Sequence, residues 1–384
     1  MIKNATLSTV VELRSILNRL GTKKNLTAEE AQFVANKVFE DLKNNSSESL
    51  SNMIALFGGL TTKGVTVEEL TGIASAIEAT KNHMFCFDVK EPLVTAGGTG
   101  GDTIPTINVT TPAIIVAAAA GAYALKSGAG AFSSKTGSSD LAQELGINIK
   151  SPPGIVKDCV EQIRVTAWAS ECIYPWMNPL IELGSKKQTK TVMPLLYSLR
   201  LSIASGLNPF SLKRQVRGVS KPVTQTIAQV LSNCDYEKAL VVVGYGKDEN
   251  TRIDEVSNLG KTVISEVKSN KKVETYQIYP EDLSVTRGNI NEIISQDSHI
   301  KNAKVAANIL SGKDKSSRLD LVLMNASAIL YTADKVKTLK DGYELAMQAV
   351  NEGKAIEKLW SLIILSKGQP HKLKAIMDFH DNQI

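Results

Sequence analysis

What this chain has little of narrows it first. Its four cysteines, Cys86, Cys159, Cys172 and Cys234, stand far apart and form no Cys-x-x-Cys pair. That argues against a zinc ribbon or a redox couple and predicts reduced, mostly buried thiols. Aromatic residues make up 5% of 384 positions, and the lysines and arginines are scattered without aromatic interleaving, so nucleic acid is not expected as a partner. No apolar run approaches the ~20 residues needed to span a bilayer. The opening MIKNATLSTVVELRSIL lacks the cationic start, apolar core and small-residue cleavage site of a secretory signal. A soluble cytoplasmic protein away from membranes is the default expectation. Low-complexity tracts and internal repeats at periods of ~20–50 residues are also missing. With 43% hydrophobic and 22% charged residues, the chain reads as an ordinary globular protein. Its net charge of +5 is modest for this size and would suit a phosphorylated small molecule.

What is present begins with helices. Thr27-Ala-Glu-Glu30 and Thr66-Val-Glu-Glu69 both have capping-box spacing, in which the threonine hydroxyl and the glutamate three positions on satisfy orphan backbone amides. Ala31, Val34, Val38 and Leu42 behind the first, and Leu70, Ile73, Ala74 and Ile77 behind the second, recur at helical spacing and predict one apolar face each. After Asp88 the pattern changes. Short β-branched runs such as Ala239-Leu-Val-Val-Val243 and Thr262-Val-Ile264 alternate with helical segments, which predicts an α/β domain. A more helical, lysine-bearing stretch near 175–210 is expected to pack back on the N-terminal helices. The expected organisation is a small helical domain over 1–90, joined by that insertion, and an α/β domain over 91–384.

Three stretches point to chemistry. In Gly97-Gly-Thr-Gly-Gly-Asp102 four glycines in five positions let backbone amides approach an anion and form a concave nest. Thr110 or Thr111 is then placed to cap a helix that has Pro112 at its first position, and a helix N-terminus attracts phosphate. A second polar loop, KSGAGAFSSKTGSSD over 126–140, follows an apparent strand with Lys126 and offers Ser133, Ser134, Thr136, Ser138 and Ser139. Ser138 or Ser139 is expected to cap the helix DLAQEL, closed by Gly146. The third stretch, Arg252-Ile-Asp-Glu-Val-Ser257, sets two adjacent carboxylates at a strand exit, where Mg²⁺ is held by carboxylate plus substrate phosphate oxygens.

Taken in order, GTGGD (98–102), NVTT (108–111), SSKTGSSD (133–140), NP (208–209) and IDEVS (253–257) resemble the motifs of the anthranilate phosphoribosyltransferase family. That family belongs to a superfamily that also contains pyrimidine nucleoside phosphorylases. The likeness extends to NASAILY (325–331) and GYELAMQAVNEGKAIEKL (342–359) and covers nearly the whole chain. It implies a small helical domain plus a larger α/β domain of the nucleoside phosphorylase/phosphoribosyltransferase type, assembled as a homodimer. It also implies transfer of the phosphoribosyl group of phosphoribosyl pyrophosphate (PRPP) to a small aromatic amine, anthranilate by default, with Mg²⁺, two ions per site. Carried over by motif, Gly98, Gly101 and Asp102 would line the pyrophosphate loop, and Thr106, Asn108, Val109 and Thr111 would meet the donor. Lys126, Gly128, Ser133, Ser134 and Ser138 would address the phosphates. Thr110, Asp254 and Glu255 would ligate the metal, and Lys126, Asp254 and Glu255 would carry catalysis.

The chain departs from the family at one loop. Where the family has Lys-His-Gly-Asn followed by arginine, this chain has Lys126-Ser-Gly-Ala-Gly130. The histidine and asparagine belong to the family's acceptor side and the arginine to its donor side, so the loop argues for PRPP more strongly than for anthranilate. Lys190 and Arg200 are both candidates for the family's acceptor-carboxylate arginine, and Asp248 with Glu249 is a weaker alternative to Asp254 with Glu255. His83, His299, His371 and His380 fall outside the matched motifs and read as surface or packing residues, as do Trp168, Trp176 and Trp360. Two other functions remain open on this reading. One is a same-fold transferase or nucleoside phosphorylase with a different acceptor; the other is a non-catalytic paralogue that binds nucleotide, phosphate or nucleic acid.

Overall fold

A computed structural model describes residues 2–128, 137–185 and 196–378. Both capping boxes form. Thr27 opens the helix Ala28–Lys43 and Thr66 opens Val67–Ala79, each with reciprocal side-chain and backbone bonds to the glutamate three positions on. The apolar faces behind them are buried as the spacing requires. Glu69 does more than cap. Its carboxylate accepts from the backbone N–H of Leu26 (2.9 Å) and of Thr66 (2.9 Å) and from Lys63 Nζ (3.0 Å), and both members of the ion pair are buried. Removing one partner of a buried pair strands the other charge. Glu69→Ala is therefore expected to lower unfolding free energy by about 3 kcal/mol, read as a shifted urea midpoint at constant slope.

The same apolar cluster takes in residues from 173 to 212. Trp176 stacks on Phe39 with ring centroids 4.5 Å apart and donates its indole N–H to Thr80 Oγ1. In the helix Tyr197–Gly206, Ser198 receives and returns hydrogen bonds with Thr61. Gly206 lies so close to the Val67–Ala79 helix that a Cβ there would stand 3.0 Å from Ala74 Cα.

The rest is built on one sheet. Its strands are β1 (Leu93–Gly98), β2 (Tyr123–Gly128), β3 (Val165–Ala169), β4 (Arg214–Gly218), β5 (Lys238–Tyr245), β6 (Arg252–Ile253), β7 (Thr262–Val267) and β8 (Val273–Ile278). The order is β3-β2-β1-β4-β5-β7-β8, with β6 pairing β5. The five strands β3, β2, β1, β4 and β5 run parallel, while β6, β7 and β8 pair antiparallel. Burial explains their composition: β3 is buried at every position and β5 at all but its first, as parallel strands covered on both faces require. Val94, Ala96, Val216 and Val242 face a core shared with the helices Thr110–Ala119 and Ser317–Thr332. On the opposite face Val241 and Val243 pack with Leu70, Leu201 and Ile227 from three other helices.

All four cysteines are free, but only Cys159 is fully buried; Cys172 and Cys234 are half-buried and Cys86 is exposed. The expectation of mostly buried thiols thus fails at Cys86, which lies in the irregular segment leading into β1. No helix among the described residues is long and apolar enough to cross a membrane.

Candidate active site

Parallel strands deliver their C-terminal ends to one edge, and ligands of open α/β sheets bind there, where connections diverge to either side. β1 lies between β2 and β4, so its exit sits at that divergence. Beyond Gly98 the chain turns through Gly100 (φ 65°) and Gly101 (φ 87°), left-handed conformations that favour glycine. Gly98 is constrained differently. A Cβ there would stand 2.0 Å from Asp254 Oδ2, and one at Gly218 would stand 1.5 Å from the Asp254 carbonyl oxygen. At both positions the missing side chain makes room for Asp254.

Asp254 and Glu255 follow β6 directly. Gly100 donates its N–H to Asp254 Oδ2 (2.6 Å), Asp254 donates its own N–H to Asp102 Oδ1 (2.8 Å), and Thr106 Oγ1 donates to Asp102 Oδ2 (3.3 Å). Thr110 Oγ1 donates to Glu255 Oε1 (3.1 Å). Lys126, on β2, is only 6% exposed. Burial and the neighbouring Asp254 charge push Asp102 up, and the same two causes push Glu255 up to about 8. Burial pushes Lys126 down to about 8, opposed by Glu255. Buried carboxylates crowded in this way favour a cation among them.

A cleft of about 440 Å³ gathers most of the residues singled out from the sequence: Gly98, Gly101, Asp102, Thr106, Asn108, Val109, Thr110, Thr111, Lys126, Ser138, Asp254 and Glu255. Gly128 lies behind Ser138, where a Cβ would stand 2.9 Å from its hydroxyl. Ser133, Ser134, Thr136, Ala129, Gly130, Lys190 and His380 lie outside the described residues. Among the described residues no histidine lines the cleft.

Two capping expectations are corrected. The helix expected to start after Thr110 or Thr111 spans Thr110–Ala119 with Val109 at its cap position and no side-chain cap, so Pro112 is the third residue; the Thr110 hydroxyl is engaged by Glu255 instead. Ser138 and Ser139 are likewise the first residues within the helix Ser138–Glu144, whose cap position is Gly137. The Gly137 N–H donates to Asp140 Oδ2 (2.8 Å), and this leaves the Ser138 hydroxyl on the cleft.

The weaker acid pair falls away. Asp248 accepts from the N–H groups of Asn250 and Thr251 in an exposed turn, and Glu249 pairs with Lys261; neither lines the cleft. Of the two candidates for an acceptor-carboxylate cation, Arg200 is brought to the glycine loop: a Cβ on Gly101 would stand 2.7 Å from its Nη1.

Sequence reasoning missed contributors from a distant segment. Ile294 and Ser295 line the cleft, anchored by Ile107 N–H to Ile293 O (2.9 Å) and Ser295 N–H to Pro105 O (2.7 Å). Nothing local in their composition signals this. Asn325, in contrast, stands out as an amide within the apolar helix Ser317–Thr332. It accepts from Val256 N–H (2.9 Å) and donates to Val256 O (3.0 Å) and Leu321 O (2.8 Å), clamping the backbone beside Glu255.

The donor set suits Mg²⁺. Among the described residues no three of His, Cys, Asp and Glu converge as a ready-made metal cage, and Mg²⁺ is bound by one or two carboxylates with waters and substrate phosphate oxygens rather than by such a cage. Asp254 and Glu255 are two buried, crowded carboxylates of that kind.

A family model described as "Glycosyl transferase family, a/b domain" matches residues 90–356. Anthranilate phosphoribosyltransferase from Thermoanaerobacter sp. is 32% identical over 352 residues, covering 91% of this chain and 98% of the relative. The Haloarcula marismortui protein of the same name is 33% identical, covering 91% and 99%. Among solved structures, anthranilate phosphoribosyltransferase from Thermus thermophilus aligns with TM-score 0.74 at 26% identity, over 92% of this chain and 99% of that one. The Saccharomyces cerevisiae protein in complex with PRPP and Mg aligns with TM-score 0.75 over 92% and 98%. At 21% identity, it shows likeness of fold.

Proposed function

The chain belongs to the anthranilate phosphoribosyltransferase family, and on that premise we propose that it transfers the phosphoribosyl group of PRPP to the amine of anthranilate, in tryptophan biosynthesis. The observation that carries this reading is the convergence at one sheet edge of a glycine nest, a buried lysine and buried acids in a single cleft. The cleft is read as belonging to the larger domain over 91–384, with the helices of 1–90 and the segment near 175–210 as the small domain.

In the reaction the bond from the anomeric carbon to pyrophosphate oxygen breaks, a bond from the amine nitrogen to that carbon forms, and the amine loses one proton to water. The nest of Gly98–Asp102 and Lys126 are assigned to the departing pyrophosphate, stabilising charge that grows in the transition state. Thr106, Asn108, Val109, Thr111, Gly128 and Ser138 are assigned to orienting the donor, which places the ribose carbon for in-line capture. Asp254, Glu255 and Thr110 would hold Mg²⁺, which when bound neutralises phosphate charge. Asp102 holds the Asp254 backbone in place and is in turn fixed by Thr106. An anilinic amine is neutral at pH 7, so the site needs no strong base. Two Mg²⁺ per site, a homodimer and a cytoplasmic location belong to the same proposal.

The direct test follows anthranilate fluorescence with PRPP and Mg²⁺: a time-dependent loss is expected, and a stable signal with both substrates bound overturns the reading. Asn325→Ala removes the clamp on Val256 without touching substrate. It is expected to raise the Mg²⁺ concentration for half-activation roughly 10–100-fold, read by titrating Mg²⁺ at saturating PRPP.

A further inference from the structure

A second, much smaller cavity shares Thr111, Lys126 and Ser138 with the cleft, and among the described residues no acid lines it. The room in it is about 10 Å³, on the scale of a single water. Part of its wall is apolar, from Ala142, Ile149, Ala167 and Trp168, and the indole N–H of Trp168 already donates to Ser151 O (2.9 Å). Two polar atoms in this wall stand out. Thr111 Oγ1 and Ser139 Oγ are buried without a hydrogen-bond partner, and their residues are 1% and 5% exposed. A buried hydroxyl left unpaired is destabilising, so two that line one small cavity call for a shared partner.

Thr111 and Ser139 are each the second residue of a helix, Thr110–Ala119 and Ser138–Glu144. The residue before each is committed to the cleft: Thr110 Oγ1 donates to Glu255, and Ser138 lines the cleft wall. A helical turn of about 100° per residue then carries the second hydroxyl towards the cavity. Gly128, at the end of β2, leaves the serines uncovered, because a Cβ there would stand 2.9 Å from Ser138 Oγ and 3.1 Å from Ser139 Oγ. Among the described residues the one charged group lining the cavity is Lys126. Its ammonium repels a cation, and a phosphate or carboxylate exceeds the room. A water meets both limits. It accepts one N–H from Lys126 and donates to the two hydroxyl oxygens, and about three hydrogen bonds are usual for a buried water.

We propose that Thr111 and Ser139 are positioning residues for Lys126, acting through one buried water that they hold against its ammonium. The charges around Lys126, attraction to Glu255 and Asp254 and repulsion from Arg217, set no direction for its N–H groups. An ammonium on a flexible four-carbon stem is a point charge with rotatable donors, and a hydrogen bond of defined geometry orients it. Held by the water, the ammonium keeps its other N–H groups for the cleft. This rests on the transferase reading above, in which Lys126 meets pyrophosphate, and adds what aims the lysine there.

Crystal structures of the ligand-free full chain test the water directly. The wild type is expected to show one density peak within hydrogen-bond distance of Thr111 Oγ1, Ser139 Oγ and Lys126 Nζ. In the double variant Thr111→Val with Ser139→Ala the peak should vanish, and Nζ should move by on the order of 1 Å or split between conformers. No peak in the wild type, or an unmoved Nζ in the double variant, overturns the proposal. In turnover with PRPP, Mg²⁺ and anthranilate, Ser139→Ala is expected to lower kcat about 10-fold with the KM for PRPP within about twofold. Thr111→Ser, which keeps the hydroxyl, should recover most of the kcat that Thr111→Val loses. Because both hydroxyls hold the same water, adding Thr111→Val to Ser139→Ala should lower kcat by a smaller factor than Thr111→Val does alone. Independent packing roles would instead multiply the two losses and lower the ligand-free Tm, and that result overturns the proposal. If the wild type transfers no phosphoribosyl group, the transferase reading fails by itself, and the two crystal structures decide the water and its hold on the lysine.

Discussion

Lys126→Met is expected to lower kcat for phosphoribosyl transfer by roughly 10²–10³, with a much smaller change in the KM for PRPP. The lysine is 6% exposed and its pKa of about 8 leaves it mostly charged at pH 7. Its ammonium is therefore a buried positive charge, where charge developing on pyrophosphate would be strongly felt. Methionine fills similar volume without charge, so packing beside Thr111 and Ser138, its neighbours in the cleft wall, is kept. A kcat within about threefold of wild type would remove Lys126 from the chemistry. Loss of activity together with a collapsed ligand-free Tm would show that its role is to balance Glu255 and Asp254.

The second large effect is expected from a single methyl group. Gly98→Ala sets a Cβ 2.0 Å from Asp254 Oδ2 and 2.5 Å from its Cγ, so the carboxylate must give up its bond from the Gly100 N–H. It has little room to retreat, because the Asp254 carbonyl is already against Gly218. Activity should fall by roughly 10³ or more, and the rise in Tm on adding PRPP with Mg²⁺ should disappear. The ligand-free chain should lose only about 1–3 kcal/mol, the usual cost of overpacking. Gly154→Ala, at a glycine with nothing within 4 Å of its would-be Cβ, serves as the control and should leave activity and the ligand shift intact. A retained PRPP and Mg²⁺ shift in Gly98→Ala would mean that Asp254 is not part of the donor site.

Much of this architecture was legible in the chain because the signals are local. The capping boxes at Thr27 and Thr66 depend on residues three positions apart, and both form. The β-branched run 239–243 belongs to a strand buried on both faces. The motifs around Gly98, Thr110, Lys126 and Asp254 meet in one cleft. The cap positions were misread because Thr110 and Ser138 carry capping side chains by type, yet the helix starts one residue earlier in each case. Their hydroxyls face the acid pair and the cleft, a competition that local spacing does not record.

By itself the sequence singled out the residues proposed for a phosphate site, since glycine, lysine and paired acids have that chemistry wherever they fold. Tertiary structure alone decided the rest. Asp254 could be chosen over Asp248 only once one was buried against two glycines and the other lay in an exposed turn. Asn325 acquired a role only when its helix met Val256, 69 positions away in sequence. Arg217 reads in the chain as one more basic residue. Only strand pairing sets it beside Gly97, buried in the sheet. Register and burial are long-range properties, so no short stretch of sequence contains them.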